Sequence, residues 1–415
     1  MHAEPRARAV RPPESVESAP SSVSREFLRA MARKSKPSGK RSTSRRRQPA
    51  GHWRHHMGTG HSDHLTPVRS LDLSKVASVD DLVRGMAATS FGGRTLGEAA
   101  DILELMVRDP DCKVVLTLSG AMTIAKQGLV ICEMIERGWV HAVVSTGALM
   151  CHGLAETAGM LHFKADPSMP DEQLFEKGYN RVYDTIELEQ NLDDTERIMA
   201  AVLGAVPDGE TLCSHKLNRR IGEWLHRNTK GRGPLRSAFE HDVPVYVPAF
   251  TDSELGLDYA TNNHRRRLAG KGPIPYDPFL DLEDFRERVD AHGTWAIFTI
   301  GGGVPRNWAQ QVAPFIDILG KRVPQMRRPL KRYKYAVRIC PEPVHWGGLS
   351  GCDYSESVSW GKILPRSEGG RWAEVKDDAT IAWPLIVKAV MERVGRGKKG
   401  QTASRLRGAP PAVNA

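Results

Sequence analysis

No two of the six cysteines, at 112, 132, 151, 213, 340 and 352, are spaced as CxxC. That absence argues against structural zinc and against the disulfide framework of a small secreted domain, and it favours reduced thiols in a cytoplasmic protein. Long hydrophobic runs are missing too. Nothing approaches the roughly 18–20 apolar residues that cross a bilayer, and the first residues lack the apolar core of a secretory signal, so no membrane role is expected. There is no internal repeat. There is also no GxGxxG, so the usual dinucleotide fingerprint is absent.

What is present is unevenly spread. The 415 residues carry a net charge of +10, but residues 1–65 hold 14 Lys and Arg against 5 acids, and residues 393–415 hold six against none. With +9 and +6 in the ends, the body at 66–392 is left at −5. Both ends read as disordered basic tails with little to bury. They are solvated arms or arms that touch nucleic acid. His52, His55, His56, His61 and His64 read as tail composition, and no metal site is expected.

Between the tails, strand-like runs at Val114–Leu118, Val140–Ser145, Pro244–Phe250, Trp295–Ile300 and Tyr335–Ile339 alternate with helical periodicity, as in Leu129–Arg137 and Asp194–Val202. This pattern predicts one large α/β domain over 66–392, a mainly parallel sheet with helices on both faces. Residues 204–242 and 257–280, polar and marked by Gly and Pro, read as loops and insertions.

In open parallel sheets, ligands sit beyond the carboxyl ends of the strands. Ser119-Gly120-Ala121-Met122-Thr123, leading into a helix, follows the first run, and Ser145-Thr146-Gly147 follows the second. Thr251-Asp252 follows the third, and Gly301-Gly302-Gly303 the fourth. Small turns that let backbone N–H groups approach a phosphate, with one acid for a ribose diol, suit a dinucleotide. Each turn taken singly is also ordinary strand-to-helix chemistry.

Lys362 lies in Ser357-Val358-Ser359-Trp360-Gly361-Lys362-Ile363, beside an indole. Partly desolvated, its amine would lose its proton more readily and could form an imine. The alternative is a cation lying over the tryptophan. Glu342, Asp353 and Glu356 precede it, either as a wall for a cationic substrate such as a polyamine or as a solvated acidic loop.

These segments, in this order, resemble the deoxyhypusine synthase family from about Ala87 to Glu392. The matching pieces are Thr89-Ser90-Phe91-Gly92, Asn180-Arg181, Pro248-Ala249-Phe250-Thr251-Asp252, the triple glycine, Ser357 to Ile363, and Asp378-Ala379 leading to Pro384-Leu385. The resemblance implies a Rossmann-like fold, NAD as cofactor, and a homotetramer with shared active sites. It also implies transfer of an aminobutyl group from a polyamine to an acceptor amine through an imine on Lys362. The cofactor contacts it implies are Ser119, Gly120, Ala121, Met122, Thr123, Ser145, Thr146, Gly147, Asp252, Gly302, Asp378 and Ala379. Glu356 and Trp360 would line the substrate.

The departures bear on substrate. Cys151-His152 stands where the family has paired glutamates, and Asn307 where it has a histidine. Leu257, followed by Asp258, replaces an aspartate, and Gly347-Gly348-Leu349 replaces Gly-Ser-Asp. His152, Asn307 and Gly347 therefore join the expected substrate wall, His152 either as a base or as a packing residue. Three classes of function follow: an NAD-dependent aminoalkyl transferase, acting on a protein lysine or, as homospermidine synthases do, on a small amine; an NAD-binding protein without transfer; or a nucleic-acid-associated protein.

Overall fold

A computed structural model describes residues 60–406, with side chains as far as 395. Most of the basic arm, with His52, His55 and His56, and the last residues, 407–415, lie outside the described residues. The chain divides into two units, Met1–Thr66 and Pro67–Ala415. Of the first, residues 60–66 are described and include a short turn.

Among the described residues of the second unit nine strands occur in chain order: β1 (Cys112–Leu118), β2 (Ala142–Ser145), β3 (Phe163–Lys164), β4 (Tyr179–Val182), β5 (Thr185–Leu188), β6 (Val245–Tyr246), β7 (Thr294–Ile300), β8 (Tyr333–Ile339) and β9 (Arg371–Val375). The main sheet has the order β6-β2-β1-β7-β8-β9, every pair parallel, and β3-β5-β4 form a small antiparallel sheet. From β1 the chain winds outward to β2 and β6, then returns to β7 on the other side of β1. The reversal lies between β1 and β7, which is where doubly wound sheets open a ligand crevice at their carboxyl ends.

Alternation along the strands loads both faces. Val114, Leu116 and Leu118 of β1 enter one core with Ala296, Phe298 and Ile300 of β7. Val115 of β1 enters the opposite core with Trp295 and Ile297. Side chains of period two, buried on both sides, require helices on both faces. The helices Phe91–Arg108 and Gly128–Glu136 cover one face, and Phe279–Ala291 and Gly303–Arg322 the other. The α/β domain with a mainly parallel sheet is as the sequence predicts.

Several local expectations are corrected. The run at Pro244–Phe250 pairs only over Val245–Tyr246. Pro244 and Pro248 have no N–H to give, and the Val247 N–H goes to Ser214 Oγ at 2.7 Å instead of a neighbouring strand. The stretches read as loops contain the helices Ser214–Asn228 and Pro234–Glu240 and most of the helix Glu254–Leu268. In the first, Leu217, Ile221 and Leu225 are buried at four-residue spacing, and the polar residues between them hid that stripe. Its start is capped from far away: Asp281 accepts from the N–H groups of both Ser214 and His215, at 2.9 Å each.

The last helix, Ala379–Leu406, runs past residue 392, where an unstructured tail was expected. Arg393 is buried and bonds to Asp80 and to Asp101 (2.7 Å), with Glu104 at 3.2 Å. A guanidinium so surrounded by carboxylates belongs to the folded body.

Candidate active site

Lys362 follows a short helix, Tyr354–Ser359, whose N-cap Asp353 accepts from the Glu356 N–H at 2.6 Å. Gly361, in the left-handed region at φ 67°, turns the chain out of that helix. The Lys362 N–H then returns to Ser357 O (3.1 Å), and its carbonyl accepts from Tyr333 (3.0 Å). With the backbone tied at both ends, the side chain runs into a cavity of about 340 Å³. Asn307, Gly347, Glu356 and Trp360 line that cavity with it, as do Gln311 and Cys352.

Lys362 is 8% exposed. Its Nζ donates to Asn307 Oδ1 at 3.1 Å and lies 5.7 Å from the Trp360 ring centre. Burial holds its pKa below the ordinary lysine range. Cys352 and Glu356 pull it back up, and the Arg306 guanidinium pushes it further down. Arg306 is 2% exposed, stacks on Tyr354 and donates to Cys352 O at 2.6 Å. A lysine facing a neutral amide and a buried arginine, with no carboxylate bonded to it among the described residues, gives up its proton more readily than an ordinary lysine. Its lone pair can then attack a carbon.

Of the carboxylates near Lys362 in sequence, only Glu356 opens into the cavity. Asp353 is occupied as a cap, and Glu342 packs under Gly348, where an added Cβ would sit 1.8 Å from its Oε1. Sequence reasoning missed Arg306, Gln311 and Cys352. Gln311 was within reach, because it follows Asn307 by one helical turn.

The expected cofactor residues collect at the carboxyl ends of the strands. At the β1/β7 reversal, Ser119 Oγ donates to Ile300 O (3.2 Å) and accepts from the Gly302 N–H (3.0 Å). Gly301 has φ 74°, and a Cβ there would lie 2.0 Å from Ser119 Oγ, so only glycine fits. Thr146 Oγ1 donates to Gly120 O (2.9 Å) and accepts from Leu149, capping the helix Gly147–Thr157. Asp252 is exposed beyond β6. Asp378, also exposed, accepts from Thr380 N at 2.7 Å as Ala379 opens the last helix.

One part of that expectation is corrected. The chain after β1 makes a run of turns, and its helix starts only at Gly128. Thr123 is buried, with Oγ1 donating to Leu149 O (2.7 Å), and Met122 packs on the core. The helix starts that do face this end are Gly147 and Gly303. With Ser145 Oγ buried and unpartnered at the end of β2, the crevice retains donors and close backbone approaches that fit a dinucleotide phosphate. Gly302 packs closely on Ser350, where a Cβ would lie 2.6 Å from Ser350 Cα, and Ser350 is next in the chain to Leu349 of the lysine cavity.

His152 is not in the lysine cavity. Its Nδ1 donates to Glu187 Oε2 (2.8 Å), which also accepts from His162 Nε2 (2.5 Å), while Asn191 binds Oε1 (2.5 Å). Lys126 donates to His162 Nδ1 at 2.8 Å, so the lone pairs a metal would need already hold protons or accept them. The other cluster of ligand type among the described residues, Cys213, His215 and Asp281, is likewise committed. Asp281 caps a helix there, and burial raises the Cys213 thiol to about 12. Nor does Asp258 stand in for the aspartate missing at Leu257. Leu257 is exposed, and Asp258, one step round the helix, is buried with Oδ2 unpartnered.

A family model described as deoxyhypusine synthase matches residues 81–390. The chain belongs to the deoxyhypusine synthase family. The Methanosarcina mazei protein named "Probable deoxyhypusine synthase 2" is 34% identical over 336 residues, 80% of this chain and 92% of its own. The "Deoxyhypusine synthase-like protein" of Chlorobaculum parvum is 31% identical over 322 residues, 77% of this chain and 88% of its own. Among solved structures, "Crystal Structure of a putative deoxyhypusine synthase from Entamoeba histolytica" matches with a TM-score of 0.50 at 15% identity, over 78% of this chain and 96% of that one. That likeness bears on the fold alone. The deoxyhypusine synthase family places the chain among aminobutyl transferases, and no helix among the described residues is long and apolar enough to cross a membrane.

Proposed function

We propose that this chain is an NAD-dependent aminoalkyl transferase that carries its group on Lys362. The observation that supports this most is the buried amine itself, bonded to one neutral acceptor and held below its ordinary pKa at the wall of a cavity. NAD, when bound, would supply the acceptor for the hydride of the donor amine and the source of the hydride returned at the end. The crevice residues that would hold it are Ser119, Ser145, Thr146, Gly147, Asp252, Gly302 and Asp378. The Lys362 amine adds to the oxidised carbon of the polyamine, a C–N bond forms to Nζ, and the original amine leaves with a proton. An acceptor amine then displaces Lys362 in the reverse sense, which restores the free lysine.

Trp360 offers its ring and Glu356 its carboxylate to the cationic chain, while Asn307 orients Nζ. With Glu356 the one acid in the cavity wall, this pocket suits a donor held by fewer charged contacts than the family uses. Val344, Leu349 and Trp360 line the cavity and are exposed. Such an apolar mouth supports a homotetramer whose neighbouring subunit covers the site. Six free cysteines support a cytoplasmic address.

Mass spectrometry after incubation with NAD, a polyamine panel and borohydride tests the reading. An aminoalkyl adduct on Lys362 is expected. No adduct with any polyamine, together with normal NAD binding, would leave a nucleotide-binding protein without transfer. Assays with putrescine and with a lysine-bearing protein separate a small acceptor from a protein one.

A further inference from the structure

The amino end of the parallel sheet holds a second cavity, of about 380 Å³, that shares no lining residue with the lysine cavity. It lies where three strands begin. Lys113 is the second residue of β1, His141 immediately precedes β2, His292 lies two residues before β7 and Trp295 is the second residue of β7. Arg288, from the helix Phe279–Ala291, and His241 complete its polar wall.

That wall is made of donors. The Val114 N–H donates to His141 Nδ1 at 3.2 Å, so the neutral ring keeps its proton on Nε2 and can give it to a ligand. The single carboxylate in the wall, Asp242, is paired with Arg219 at 2.6 Å. Arg288 is paired with Asp284 at 2.8 Å. Lys113 makes no ion pair among the described residues, so its charge remains uncompensated. Burial, then the positive charges of Lys113 and His292, push His141 down to about 4. A site with this field resists further positive charge, and an anion would relieve it.

We propose that this cavity is a binding site for a small phosphate-bearing anion. A phosphoryl group brings up to two negative charges and three acceptor oxygens, which answer the imidazole and ammonium donors together. The volume exceeds that of the phosphoryl group alone, and Ile135, Val140 and Val243 offer an apolar wall for an organic remainder. The polyamines suited to the lysine cavity are repelled here by Lys113. One domain thus keeps a cation site and an anion site apart.

Calorimetric titration of the full chain with inorganic phosphate, pyrophosphate and AMP tests this, with spermidine as the opposite-charge control. Saturable binding of at least one phosphate compound is expected. Lys113→Met and His292→Gln should each weaken it about tenfold or more, the loss for one charge-assisted hydrogen bond, while Lys362→Ala leaves it unchanged. Tighter AMP than pyrophosphate would mark a phosphorylated organic ligand, and the reverse a free inorganic anion. His292 is exposed, so its variant keeps the test valid if Lys113→Met fails to fold. The proposal is overturned by no saturable binding, or by binding that both variants leave intact, which would place the anion in the dinucleotide crevice.

Discussion

Lys362 and Glu187 are both buried ionisable groups, 8% and 1% exposed, and the fold treats them in opposite ways. Burial alone would raise the Glu187 pKa, but hydrogen bonds from His152, His162 and Asn191 outweigh it and hold the carboxyl at about 2. Lys362 has one neutral acceptor and a buried arginine nearby, so burial wins and the amine sheds its charge readily. A charge saturated with donors is locked and structural. A group buried with too few partners is left reactive. Asp258 is the acidic counterpart of Lys362: burial, then Glu254 and Glu196, raise it to about 7.

The largest expected effect breaks the comparison at its reactive member. Lys362→Ala should lower the borohydride-trapped adduct and turnover on the order of a thousandfold or more, with NAD affinity retained. Residual adduct on another lysine would move the nucleophile elsewhere.

Next in size is Asp258. Its folded pKa of about 7 lies above the 3.8 of an ordinary aspartate, so the unfolded chain ionises first. This contribution to stability therefore falls as pH rises from 3.8 towards about 7, and stays low above that. Asp258→Asn should stabilise the fold at pH 8 by up to about 4 kcal/mol and change little at pH 4. Urea unfolding at the two pH values reads this, and an equal gain at both would contradict it.

Glu187 runs the other way. Its pKa is lowered from 4.5 to about 2, so its contribution is full above 4.5 and lost as pH falls through 2. Glu187→Gln should cost about 3 kcal/mol at pH 7 and progressively less on acidification. Loss of the Lys362 adduct in this variant, with folding intact, would show that the cluster serves catalysis after all.

The smallest effect is at Glu356, whose negative charge raises the Lys362 pKa. Glu356→Gln should move the pH midpoint of amine reactivity downward, by less than about one unit at this exposed position. An upward shift would mean that the carboxylate does not act on Lys362.

The strands β1, β7 and β8 were legible because they are short continuous apolar runs loaded on both faces. Lys362, Glu356, Trp360, Asn307 and Gly347 do meet in one cavity. The resemblance named them together, and spacing alone would not have joined residues 307 and 362. His152 was misplaced because its partners, His162 and Glu187, are 10 and 35 residues away with no periodic signal linking them. The helix Ser214–Asn228 was missed for a similar reason: its capping carboxylate, Asp281, lies 67 residues on from Ser214.

Periodicity and strand-end glycines are local, and each is enforced by the backbone of a few neighbouring residues. The sequence therefore determined the α/β class, the glycine-rich turns at the strand ends and the segment holding the lysine. Protonation is a property of surroundings. Only the tertiary structure decided that Lys362 meets an amide while Glu187 meets three donors, because desolvation and hydrogen bonding depend on groups brought together from distant parts of the chain.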